Sequence, residues 1–166
     1  MNYIALRDEP RTGDRAAIRH LVETAGVFSP DEIIIACELI EERLARGLAA
    51  TGYHFLFAEE GRGAPLGYAC FGPIALTQGS WDLYWIAVDK TMHGRKIGRL
   101  LLERSEELIR EAGGRQVYIE TSNRHQYAPT RGFYLRCGYR QEALLKDFYA
   151  PGDDKVIYVK ELKIGE

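Results

Sequence analysis

Six consecutive residues, His93-Gly94-Arg95-Lys96-Ile97-Gly98, set two glycines among basic side chains, and Arg99 adds another cation. They follow an apolar run, Trp81 to Val88, rich in aromatic and β-branched residues and broken by Asp89 to Met92. They precede a stretch, Arg99 to Ala112, that reads as a helix stopped by Gly113-Gly114. Leu101, Leu108 and Ala112 mark its expected inner face; Glu103, Arg104, Glu107, Arg110 and Glu111 lie elsewhere. A strand, a glycine turn and a helix start in this order can bind an anion. The first N–H groups of a helix lack intrahelical acceptors, and the aligned peptide dipoles place positive charge there. Glycines admit the ligand close to the backbone, so phosphate is the anion best suited. The dinucleotide fingerprint G-x-G-x-x-G and the Gly-Lys-Ser/Thr phosphate loop both fail to match.

The elements needed to hold this turn follow from the rest of the chain. Asn2 to Arg7 reads as a strand. Asp14 is the expected N-cap of a helix to about Ala25, with Ile18, Leu21 and Val22 inward. Ser29-Pro30-Asp31-Glu32 starts a second helix, to about Arg46, with Ile33, Cys37, Ile40 and Leu44 on one face. Tyr53 to Glu59 and Leu66 to Pro73 form a hairpin. After the helix beginning near Arg99, Gln116 to Thr121 is a strand, so strand-helix-strand predicts a parallel crossover. Thr130 to Cys137 is a short helix. Glu142 to Tyr149 and Val156 to Leu162 form a final hairpin.

Composition restricts the function. The 166 residues suit one domain, expected to span residues 1 to 166. A net charge of −2 argues against bulk nucleic-acid binding. Three scattered cysteines, Cys37, Cys70 and Cys137, suggest neither a disulfide framework nor a metal site. The expected setting is a reducing cytoplasm, with no signal core and no apolar run of membrane length.

The turn resembles motif A of the GCN5-related N-acetyltransferases (GNAT), Arg/Gln-x-x-Gly-x-Gly/Ala, which cradles the pyrophosphate of acetyl-CoA. His93 stands for Arg/Gln and Lys96 for the first consensus glycine. Downstream, Phe133-Tyr134-Leu135-Arg136-Cys137-Gly138-Tyr139 resembles the family's Phe-Tyr-x-x-x-Gly-Phe/Tyr element. The order β-α-α-β-β-β-α-β-α-β-β is similar to the family's. The resemblance implies an α/β (α+β) fold, a mixed sheet of about seven strands with about four helices, splayed between the fourth and fifth strands.

It implies acetyl-CoA as co-substrate, no metal, and direct attack of a primary amine on the thioester. Cofactor contacts fall to Ile86, Ala87 and Val88 through their backbone, to His93, Gly94, Arg95, Lys96, Ile97, Gly98 and Arg99 in the cradle, and to Asn123 and Tyr134. Lys96 retains its N–H for the ligand at negative φ. Asn123 stands farther from Phe133 than the family's usual spacing. Tyr134 takes the position of the general acid, because a neutral phenol can protonate the departing thiolate. Asp82, six residues before Val88, resembles the catalytic base position of histone-acetylating members, and alternation puts it with Tyr84, Ile86 and Val88. Glu120 on the neighbouring strand is its rival. Asp147, Asp153, Asp154 and Glu32 would attract a cationic amine, with Phe148 and Tyr149 as an aromatic wall. Cys137 has no evident base, which speaks against a covalent intermediate. The acceptor is a small molecule or peptide, and a homodimer is compatible with the family. The alternative is a non-catalytic acyl-CoA-binding or regulatory module of the same fold.

Overall fold

The computed structural model describes residues 3 to 163. Asn2, where the first strand was expected to start, lies outside them. The chain forms two compact units: residues up to 72 with 85–107, and 73–84 with residue 108 onward.

In the first unit, β1 (Ile4–Arg7), β2 (His54–Glu60) and β3 (Gly67–Pro73) form an antiparallel ladder. Its strands are covered by α1 (Asp14–Ala25) and α2 (Pro30–Arg46), and a single helical turn, α3 (Leu48–Thr51), follows. The core joins Ile18, Leu21 and Val22 of α1 and Ala36 and Ile40 of α2 to Phe55, Phe57, Tyr68, Cys70 and Ala87. Ser29 caps α2 reciprocally: its hydroxyl accepts from the Glu32 N–H at 3.2 Å, and its own N–H donates to the Glu32 carboxylate at 2.7 Å. Two expectations are corrected. Leu44 is exposed, and the end of α2 is instead tied by Arg43 Nε to the Tyr53 carbonyl at 3.1 Å. Asp14 is the first helical residue, not the cap. Its buried carboxylate accepts both Arg7 guanidinium nitrogens at 2.8 Å.

The second unit holds the first half of β4 (Ser80–Val88), the end of α4 (Ile97–Glu111), β5 (Gln116–Ser122), α5 (Ala128–Arg136), β6 (Arg140–Ala150) and β7 (Asp153–Glu161). β5 pairs antiparallel with β7 along its whole length, from Gln116↔Glu161 to Ser122↔Lys155. Its parallel pairing with β4 is short: Ser80↔Gln116, Trp81↔Val117 and Asp82↔Tyr118. The strand order is β1-β2-β3-β4-β5-β7-β6 in a mixed sheet of seven strands, and the short β4–β5 register is the expected splay. Five α-helices occur where about four were expected, α3 being the addition.

One element differs in detail from its sequence pattern. α4 begins at Ile97, and its buried face is Ile97, Leu101, Leu102, Ser105, Glu106 and Ile109; Leu101 lies there as expected, while Leu108 and Ala112 do not.

Candidate active site

The glycine turn is wholly in the first unit. Asp89 ends β4 and caps a 3-10 turn, Lys90–Met92, by accepting from Thr91 N–H at 2.9 Å and its hydroxyl at 2.7 Å. Gly94 then takes φ +89°, and a Cβ built on it would meet nothing within 4 Å. Lys96 takes φ +59°. The family's glycine at this position thus answers a backbone need, and Lys96 departs from the negative φ expected of it. Its carbonyl accepts the Leu100 N–H at 3.0 Å and so opens α4. The N–H groups of Ile97 and Gly98 fall in the first turn, where no intrahelical acceptor exists. Ile97 is only 2% exposed and anchors the turn from below. Arg95, Lys96 and Arg99 are exposed. Arg95 is paired with Glu60 at 3.0 Å, and Arg99 approaches Glu103 at 3.9 Å. An open glycine, a fifteen-residue helix's N-terminus and three exposed cations fit a pyrophosphate.

The titratable candidates are in the second unit. Tyr134 on α5 is 5% exposed and packs among Phe133, Tyr139 and Tyr158, with ring centroids 5.6 to 6.1 Å away. Burial, then the neighbouring Cys137 thiol, holds its phenol well above the usual range, so it stays neutral. Tyr158 pairs with Ile119, which places Tyr134 against the Ile119 face of the sheet. Asp82 is on the opposite face, since its register partner Tyr118 alternates with Ile119. Burial chiefly, and then the charge of Glu120, push Asp82 up to about 6, while Lys155 opposes the shift. Glu120 shares that face and is paired with Lys155 at 2.7 Å. Acid and base candidates therefore flank β5 from opposite sides.

Other expected residues are held elsewhere. Asn123 donates to Asp154 Oδ2 at 2.8 Å and accepts the Asp154 N–H at 3.0 Å. Asp154 Oδ1 takes the Asp147 N–H at 2.8 Å, and Asp147 itself lies at φ +53°. Asp153 bonds the Ser122 hydroxyl and pairs with Arg124 at 3.2 Å. The acidic cluster anticipated as bait for an amine is thus the fastening of the β6–β7 turn to the end of β5. Glu32 serves the α2 cap. Sequence reasoning missed Lys155. Its signal was alternation within β7, which puts it on the face of Ile157 and hence of Glu120. Among the described residues no group of three or more His, Cys, Asp or Glu could hold a metal ion, and no helix is long and apolar enough to cross a membrane.

Comparison with known proteins agrees with this architecture. The family model "Acetyltransferase (GNAT) domain" matches residues 51–141. A crystal structure from Desulfovibrio desulfuricans, described as a GNAT-family acetyltransferase, is 45% identical; it covers 97% of this chain and all of its own, with a TM-score of 0.93. The chain belongs to the GNAT acetyltransferase family. Two more distant structures share the fold. A Salmonella typhimurium protein solved with acetyl-CoA is 21% identical, with a TM-score of 0.76 and coverage of 99% of this chain and 96% of its own. The ribosomal-protein-S18-alanine N-acetyltransferase of Escherichia coli is 16% identical, with a TM-score of 0.75 and coverage of 99% and 97%. No curated protein sequence matches the chain.

Proposed function

We propose that the protein is an acetyl-CoA-dependent N-acetyltransferase that acetylates a primary amine by direct attack on the thioester. The observation that carries this reading is the start of α4. There an open Gly94 and the first-turn N–H groups of Ile97 and Gly98 meet the side chains of Arg95, Lys96 and Arg99. Those groups hold the pyrophosphate, with Arg95 exchanging Glu60 for phosphate. Backbone groups of Ile86, Ala87 and Val88 pair with the pantetheine amides as a neighbouring strand would.

The proton chemistry falls to the second unit. An alkylammonium, with a pKa of about 10.4, must lose a proton before its nitrogen can attack. Asp82, at about 6, is ionised at neutral pH and is a better base than an ordinary aspartate. It accepts the amine proton directly or through water. As the new C–N bond forms and the C–S bond breaks, the thiolate gains negative charge. Tyr134, kept neutral by burial, donates its O–H to that sulfur from the opposite face of the sheet. Glu120 is tied to Lys155 and stands aside from this role. Asn123, bonded to Asp154 through both amide atoms, is assigned a structural role in this reading.

Thermal stabilisation by acetyl-CoA is the direct test, compared between wild type, Gly98→Trp and Tyr134→Phe. The expected pattern is a shift in wild type and Tyr134→Phe that Gly98→Trp abolishes, together with amine-dependent thiol release by wild type. Stabilisation with no thiol release against a broad amine panel would rule for a non-catalytic acyl-CoA-binding module. No stabilisation in wild type would reject both.

A further inference from the structure

The face that carries Asp82 also carries a fixed cation. Tyr118 and Glu120 alternate on β5, Asp82 is the register partner of Tyr118, and Lys155 is the β7 partner of Ser122. All four therefore point the same way. Lys155 Nζ bonds Glu120 Oε2 at 2.7 Å, 3.8 Å from the centroid of the Phe148 ring and 5.8 Å from that of Tyr149. Its side chain is 12% exposed, against 47% for Glu120. An ammonium so enclosed, with one carboxylate and one aromatic face, is a built feature. Two further carboxylates at this end of the sheet are engaged, Asp153 by Arg124 and Ser122 and Asp154 by Asn123 and the Asp147 N–H, while exposed Asp147 accepts the Gly152 N–H. Among the described residues, Asp82 forms no ion pair.

We propose that Lys155 determines acceptor specificity: by holding Glu120 in an ion pair it leaves Asp82 as the carboxylate of that face free to receive a cation, so the site takes an amine with one ammonium on an apolar or aromatic body rather than a diamine or polyamine. The inference rests on the reading of this face as the acceptor side. Two unpaired carboxylates on one face would hold a second ammonium; one carboxylate and one internal ion pair do not. Phe148 and Tyr149, about half exposed, supply the surface for the apolar body.

The test is calorimetric binding of two matched probes to the CoA-loaded protein: benzylamine, with one ammonium, and 4-(aminomethyl)benzylamine, with two. Wild type, Lys155→Met, Lys155→Arg and the double variant Lys155→Met/Glu120→Gln are compared at neutral pH. Lys155→Met is expected to shift the affinity ratio toward the diamine by about tenfold. The double variant is expected to return the ratio to the wild-type value, and Lys155→Arg to keep it. A Lys155→Met ratio within twofold of wild type overturns the proposal, as does a diamine preference that survives in the double variant. So does failure of wild type to bind either probe. Binding with the expected ratios but no acetylated product in wild type given acetyl-CoA would support the specificity assignment while overturning the enzymatic reading. Product formation with indifferent ratios would do the reverse.

Discussion

Tyr134 and Asp82 are both shifted upward by burial, and the shift has opposite consequences for the two. A phenol driven above its usual value is a weaker acid, so in the proposed mechanism Tyr134 donates a hydrogen bond to the leaving thiolate and gives up its proton only as charge develops there. Tyr134→Phe is expected to lower kcat by about a hundredfold or more while acetyl-CoA stabilisation persists, measured by steady-state kinetics beside thermal shift. A carboxylate driven up becomes a stronger base. The acid limb of kcat/KM is expected near pH 6, with activity lost below it, and Asp82→Asn removes that limb. The same shift acts on stability. A carboxyl whose folded pKa is raised from about 4 favours the fold below that value, and this contribution disappears as pH rises through about 6. Asp82→Asn therefore raises Tm more at pH 8 than at pH 5, which calorimetric scans at the two pH values would show. Lys96 is strained for a different reason: its Cβ crowds the backbone at φ +59°. Lys96→Gly relieves about 1 kcal/mol of that crowding, partly offset by glycine's greater chain entropy. A Tm rise of up to about 3 °C is expected.

At the scale of elements, two fastenings do most of the positioning. Arg7 on β1 reaches Asp14 on α1 at 2.8 Å and Glu59 on β2 at 2.6 Å, with its guanidinium 4.5 Å from the Phe57 ring centroid. All three side chains are at most 12% exposed. Arg7→Ala strands two buried carboxylates, and a loss of about 3 to 5 kcal/mol in denaturant unfolding is expected. At the other fastening, Asn123, Asp153, Asp154 and Arg131 bind the end of β5 to the β6–β7 turn and to α5; Arg131 donates to the Ser122 carbonyl at 2.9 Å. This is the support that keeps Glu120 and Lys155 in register. It also engages Asp153 and Asp154, two of the acidic residues near the turn. A carboxylate satisfied by backbone N–H groups and an arginine has little attraction left for a ligand.

At the scale of the molecule, each compact unit carries one part of the proposed reaction. The first holds the turn proposed to bind phosphate, and the second holds the groups proposed to move protons. A co-substrate bound only by the folded chain stabilises it by mass action, about 2.7 kcal/mol at a hundredfold excess over Kd. For a chain of this length the expected Tm rise is about 5 to 11 °C. The net charge of −2 confers no general attraction for a polyanion, so this binding depends on the local cations at the head of α4. Its salt dependence is therefore expected to be modest.

Strong local signals in the sequence were enough for the element order, the α2 capping box, the glycine turn and the family. Ser29 with Glu32 specifies a helix start through bonds three residues apart, and glycines mark turns by the backbone they permit. Other features depended on distant partners. The exact inner face of α4 was set by what it met in the fold, not by period. Asp14 became part of a clamp because β1 brought Arg7 to it. Asp153 and Asp154 were taken up by Ser122, Arg124 and Asn123, more than twenty-five residues away. Lys155 acquired a role only when β7 paired with β5 and laid its ammonium against Glu120. Local geometry is encoded within a few residues and can be read from them. The partner of a charged side chain is decided by register and packing, and only the tertiary structure supplies those.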